Sequence, residues 1–176
     1  MKYICAIDPA NEKSAYVICG AYDLKPICLG KNTNELMYCE IGEHIGNLCY
    51  ESGRMFGNVD FVIVIEDIEN LGGIVGRSVF DTCKWIGKLE DRFTRAGYQV
   101  EMVRRSQERK IICPGVYHAK DANIRAALVE RFAPYEFNYG KGTKKVPGWF
   151  YGFRADIWQA YAVAVTYHDL KESGEI

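Results

Sequence analysis

No apolar run in this sequence approaches the roughly 20 residues that a membrane-spanning helix needs, so no stretch reads as a membrane span. There is no CxxC pair and no cysteine–histidine spacing of the zinc-site kind. The seven cysteines are odd in number and several, Cys5, Cys19 and Cys83 among them, lie inside apolar runs, which predicts free thiols rather than a disulfide framework. GxGxxG and the P-loop Lys-Ser/Thr are both missing, so the glycine-rich stretch 70–76 reads as a flexible loop rather than a phosphate cradle. Neither sign of charge dominates: 22 Lys and Arg stand against 23 Asp and Glu, a formal net charge of −1. That balance gives no overall pull on a polyanion, but acids gathered at one site can cancel a basic rim in the sum, and only the local field steers a ligand. Internal repeats, a low-complexity tail and a secretory leader are absent, so one domain over 1–176 and a cytoplasmic location are expected.

What is present is an alternation of apolar runs and turns. Residues 2–8 and 14–22 read as strands joined by the polar turn Asn11-Glu12-Lys13, hence an antiparallel hairpin, with a third short strand near 26–30. Helical spacing follows over 34–55 (Leu36, Met37, Ile41, Ile45, Leu48, Cys49), interrupted by Gly42 and Gly46 and stopped at Gly57-Asn58. A buried strand over 60–66 comes next, then a helix over 77–95 with Val79, Cys83, Ile86, Leu89 and Phe93 on one face and Gly97 past its end. A fifth strand spans 98–103. Helical segments over 104–112, 120–132 and 154–170 complete the chain. This order predicts an α/β fold with a five-stranded mixed sheet and helices on both faces.

Three acids stand where such a fold makes a cleft. Tyr3-Ile4-Cys5-Ala6-Ile7 is apolar on both alternating faces and ends on Asp8; Phe61-Val62-Ile63-Val64-Ile65 ends on Glu66; the last helix opens with Asp156. Carboxylates at the ends of adjacent buried strands are a usual cage for hard divalent cations. Two such ions can activate water and stabilise the leaving oxygen in phosphodiester cleavage. Open α/β sheets bind ligands beyond the carboxyl ends of their strands. Each acid also has a plainer reading. Asp8 before Pro9 suits a turn, Asp67 or Glu69 could replace Glu66, and Asp156 suits a helix N-terminus. Glu66 resists dismissal, because a carboxylate after five apolar residues is costly to bury without a partner.

The ordered set Ala6-Ile7-Asp8-Pro9, Ser14-Ala15-Tyr16-Val17-Ile18, Val64-Ile65-Glu66 and Ala155-Asp156 with Gln159-Ala160-Tyr161-Ala162-Val163-Ala164 resembles the RuvC-type Holliday-junction resolvases of the RNase H-like superfamily. Gly76-Arg77-Ser78-Val79-Phe80-Asp81-Thr82, Ala119-Lys120-Asp121-Ala122-Asn123-Ile124 and Pro147-Gly148-Trp149-Phe150-Tyr151-Gly152 are similar to the branch carried by bacteriophages. The resemblance spans residues 3–167. It implies an RNase H-like fold and a homodimeric, magnesium-dependent endonuclease, with Mn2+ able to substitute, that nicks opposing strands of four-way junctions. Asp8, Glu66 and Asp156 then match the metal ligands. Gln159 stands where the bacterial enzymes carry a fourth acid, and could coordinate through its amide oxygen or hold a water; Asp121 is the other substitute. Lys120 lies near the position of the family's active-site lysine and could stabilise charge on phosphate, or be a solvated helix-start residue. His118 could serve as a base or simply lie at the surface.

Two basic groups are candidate DNA contacts: Arg104, Arg105, Arg109 and Lys110 after the fifth strand, and Lys141, Lys144 and Lys145 on a glycine-flanked mobile arm, with Tyr151 or Phe153 available to stack on an unpaired base; the plainer readings are a solvated helix face, a flexible loop and aromatics buried in the core. Arg77, after the glycine-rich loop, is a further candidate. The second face of helix 77–95 (Phe80, Lys84, Trp85) could meet a partner chain or be buried in the monomer. Competing readings are a branched-DNA-binding module that does not cut, a general RNase H-like nuclease acting on RNA/DNA hybrids, and an actin-like ATPase half, for which the chain is too short.

Overall fold

The computed structural model describes residues 2–51, 61–69 and 75–176. Its elements run β1 (Tyr3–Asp8), β2 (Lys13–Gly20), β3 (Pro26–Thr33), α1 (Asn34–Glu51), β4 (Phe61–Asp67), α2 (Arg77–Arg95), β5 (Gln99–Arg104), α3 (Arg105–Ile112), α4 (Asp121–Phe132) and α5 (Ile157–Ser173). The sheet order is β3-β2-β1-β4-β5. β1 pairs antiparallel with β2 and β2 with β3, whereas β4 runs parallel to β1 and β5 parallel to β4. The mixed five-stranded sheet expected from the sequence is therefore present, and β1 is its central strand.

Side chains alternate between the two sheet faces, and each face has its own core. Ile4, Ala6, Ala15, Val17, Val62 and Val64 pack under α4 and α5, while Cys5, Ile7, Tyr16, Ile18, Ile63 and Ile65 pack under α1 and α2. This double burial explains why β1 and β4 carry no polar alternation before their terminal acids. α1 continues through Gly42 and Gly46, because Met37, Ile41, Ile45 and Cys49, spaced four apart, anchor it to the sheet. Gly57 and Asn58, the expected stop, lie outside the described residues. α2 has the expected ends, but its buried face is rotated. Cys83 is exposed, while Trp85 is 6% exposed and donates its indole N–H to Ser14 Oγ at 3.0 Å. Trp85 is thus a core residue and not part of a partner face; Phe80 on the same helix stays exposed.

α5 is buried almost all round. Ile157, Trp158 and every residue from Ala160 to Tyr167 are buried, and the helix packs against the sheet on one side and α3 and α4 on the other. Three alanines, Ala160, Ala162 and Ala164, leave room for that close approach. Before α5, an aromatic cluster of Phe150, Phe153, Trp158 and Tyr161 fixes the entry of the chain. Phe153, 1% exposed, is consequently not available to stack on a base, whereas Tyr151 is 46% exposed. The glycine-flanked lysine segment is a tight hairpin, not a loose arm. Gly142 bridges Pro147, Thr143 N–H donates to Val146 O at 2.9 Å, and Phe150 N–H donates to Gly140 O at 2.7 Å. Among the described residues, no helix is long and apolar enough to cross a membrane.

Candidate metal centre

Register alone brings the acids together. Ile7 pairs with Ile65 across the parallel β1/β4 ladder, so Asp8 and Glu66 follow side by side at the carboxyl ends of the two strands. Asp8 also pairs with Ala15, and Ala15 with Lys31, which places Lys31 in the same cross-strand row on the α5 face. α5 starts over this row, and Asp156 immediately precedes it; the Lys31 ammonium is ion-paired to the Asp156 carboxylate. Lys31 was invisible as a site residue because the expected third strand stopped near residue 30. The strand runs to Thr33 and carries Lys31 to the acids.

The turn behind Asp8 is held by a buried serine. Ser14 Oγ donates to Asn34 Oδ1 at 2.7 Å and accepts the Ala10 N–H at 3.2 Å as well as the Trp85 indole N–H. Asn34 Nδ2 in turn donates to Ala10 O at 3.0 Å. These bonds satisfy a polar group that is otherwise costly to bury and fix the backbone that follows Asp8.

Electrostatics single out the same residues. Burial, then the neighbouring Glu66 and Asp156, push the Asp8 carboxyl up to about 8, against the opposing pull of Arg105. Burial likewise raises Glu66, opposed first by the Arg105 guanidinium and then by a hydrogen-bonding interaction with Asp8. Asp67 and Glu69, the alternatives to Glu66, are placed elsewhere. Asp67 lies 4.0 Å from Arg104, and Glu69 accepts the Ser106 N–H at 2.8 Å and its hydroxyl at 2.7 Å.

Arg105 belongs to the acid cluster and not to an open basic face. Its Nη1 donates to Gln159 Oε1 at 2.5 Å and to Glu108 Oε2 at 3.1 Å, lies 3.5 Å from Glu66 Oε1, and its Nη2 pairs with Asp121. Glu108, which the sequence did not single out, is fully buried, and its Oε1 has no hydrogen-bond partner. Burial, reinforced by Glu66 and opposed by Arg105, pushes its carboxyl up to about 9. Its position in an arginine-rich helix, Arg105-Ser106-Gln107-Glu108-Arg109-Lys110, disguised it as a surface charge.

The other basic candidates are dispersed. Arg104 lies near Asp67, Arg109 is half-buried, and Lys110 lies 3.6 Å from Glu175. Arg77 lies 3.7 Å from Asp81 on the exposed start of α2. Lys120 is exposed and immediately precedes Asp121, and Asn123 Oδ1 accepts its N–H at 2.9 Å. His118 is exposed beside Tyr117. Lys141 and Lys144, by contrast, line a cleft of about 560 Å³ together with Tyr151 and Arg154. Gly30 and Ile157, neighbours of Lys31 and Asp156, form its other wall. Lys145 lies beside it on the exposed hairpin.

The donors around Asp8 are carboxylate and amide oxygens, the ligand type of hard divalent cations. Like charges forced together in a buried place, one of them keeping its proton, suit a site completed by a cation. The donor set therefore fits a divalent ion. In their present rotamers, no three acidic, histidine or cysteine side chains among the described residues are grouped to hold one, Asp156 being paired with Lys31 and Glu66 lying by Arg105.

No family model matches the sequence, and no curated protein matches it. Solved structures do. T. thermophilus RuvC in complex with a Holliday junction substrate superposes with a TM-score of 0.63 at 9% identity, over 99% of this chain and 97% of that one. A second Thermus thermophilus RuvC structure gives 0.62 at 12% identity, over 98% and 96%. At these identities what is shared is the fold: the chain has the RuvC-like, RNase H-like α/β architecture.

Proposed function

We propose that the protein is a divalent-metal-dependent endonuclease that hydrolyses phosphodiester bonds in branched DNA, four-way junctions above all. The observation that carries the reading is the convergence of Asp8, Glu66 and Asp156 at the carboxyl ends of β1 and β4 and the start of α5, in one electrostatically coupled cluster. Its fold is that of proteins one of which was solved with a Holliday junction substrate. The finer expectations belong here too: magnesium as the ion with manganese as substitute, a homodimer with one centre per junction strand, the bacteriophage-carried branch of the family, and action in the cytoplasm of a bacterial host.

Asp8, Glu66 and Asp156 would hold the cation, with the Gln159 amide oxygen near. When bound, the ion lowers the pKa of a water and offsets charge on the phosphate. To hold it, the Asp8 and Glu66 carboxyls would both be ionised, and Asp156 would be free of the Lys31 ammonium that pairs with it. Lys31 and Lys120 would then offset charge on the phosphate oxygens. Lys141, Lys144, Lys145 and Arg154 bind backbone phosphates of a DNA arm along the cleft, and Tyr151 stacks on a base unpaired at the crossover. Arg77, Arg104 and Lys110 are exposed charges for flanking arms.

A second reading has its own observation. Lys31 and Arg105 already neutralise Asp156 and Glu66, as in a module that holds branched DNA without cutting it. The test is incubation of the purified protein with a synthetic four-way junction, the matching linear duplex and an RNA/DNA hybrid in magnesium. Nicks on opposing strands of the junction support the proposal. Binding without cleavage in magnesium or manganese favours the module, and cleavage of the hybrid alone favours a general RNase H-like nuclease.

A further inference from the structure

We infer that Arg105 permanently occupies one of the two cation positions such an acid cluster offers, so that the centre takes a single divalent ion per chain. The inference rests on the metal-dependent reading above and deepens it.

A guanidinium carries a fixed charge and five N–H donors in a planar fork, so it can satisfy several oxygen acceptors at once. Arg105 does this from a nearly closed position: it is 18% exposed and touches oxygens of Glu66, Glu108, Asp121 and Gln159. It is also built in. Arg105 begins α3 directly after β5, whose last residue pairs with Asp67 of β4. Its neighbours are tied down on both sides, Arg104 N–H to Gln107 Oε1 at 2.8 Å and Ser106 to Glu69. Lys31 differs on every count: its flexible stem lies on the outermost strand and, among the described residues, it has one acid partner, so an incoming ion can displace it.

The residue at 159 fits the same arrangement. An amide oxygen accepts a strong hydrogen bond from a guanidinium without adding charge, whereas a fourth carboxylate would leave an excess of negative charge for a second metal to balance. Glu108 points the same way, being fully buried with Oε1 unpartnered. Without Arg105, two acids near the strand ends, Asp121 and a glutamine amide oxygen would surround an empty position. That is a hard-cation donor set.

Counting Mn2+ bound to the full chain without DNA, by electron paramagnetic resonance of the free ion, tests this. One ion per chain is expected for the wild type and for Arg105→Lys, rising to two for Arg105→Ala. Two ions on the wild type, or one on a folded Arg105→Ala, overturn the inference while leaving metal dependence standing. No bound ion on the wild type overturns both. If Arg105→Ala folds only when Mn2+ is present, the ions are counted on the Mn2+-folded protein, where two per chain support the inference and one overturns it.

Discussion

Asp8 is pressed from two sides, by burial and by Glu66 and Asp156, and both raise its carboxyl, to about 8. A carboxyl raised on folding keeps a proton that the unfolded chain loses near 4, so between about 4 and about 8 the folded state binds more protons. Stability of the metal-free protein contributed by this group therefore falls as pH rises through that window and levels off above it. Melting temperature measured against pH in chelator should show this decline, and Asp8→Asn should make it shallower, the remainder coming from Glu108, whose buried carboxyl is pushed up to about 9. An equal slope in both proteins would mean that Asp8 is not the group under pressure. Saturating divalent ion should also make the slope shallower, because the ion displaces the same proton.

At the scale of elements, the segment 140–153 divides its aromatics between two tasks. Phe153→Ala should remove about 3–5 kcal/mol, on the order of 10 °C in melting temperature, because the ring sits inside the cluster that seats α5. Tyr151→Ala should leave melting within about 2 °C of wild type and weaken junction binding, as stacking on an exposed ring is worth about 1–3 kcal/mol. Equal melting losses in both would contradict the division. Gly140→Ala should also destabilise: φ is +77° there, and an added Cβ would stand 2.5 Å from Ala133 Cβ and 2.8 Å from the Phe150 ring. The strands, the helices and the three acids were legible in the sequence, because apolar runs ending on carboxylates survive any change of detail. Glu108, Lys31 and the true place of Arg105 were not. Their roles depend on where β3 ends and how α3 leaves β5, and periodicity in a short, highly charged helix carries no record of which charge is buried. Which of the two readings of Trp85 holds was not legible for a related reason: its indole N–H is satisfied by Ser14, 71 residues earlier.

For the whole molecule, a net charge of −1 means that the proposed DNA affinity would come from a local field, and the cleft lined by Lys141, Lys144 and Arg154 is the candidate place for it. Replacing Lys141, Lys144 and Lys145 together by alanine should weaken junction binding at every sequence and make its salt dependence shallower by about 2–3 in the logarithmic slope, roughly 0.9 per lost phosphate contact. An unchanged slope would place the DNA elsewhere. Sedimentation of the free protein should give a dimer, and Phe80→Glu on the exposed face of α2 should shift it toward monomer. The central claim is that three acids from β1, β4 and α5 carry metal-dependent cleavage. It is tested most directly by single-turnover cleavage of a four-way junction in magnesium by wild type beside Asp8→Asn, Glu66→Gln and Asp156→Asn, with junction binding measured in parallel. The account predicts cleavage by wild type, a loss of at least about 100-fold in each variant, and binding retained in all three; cleavage that survives in the variants, or no cleavage by a wild type that binds, would contradict it.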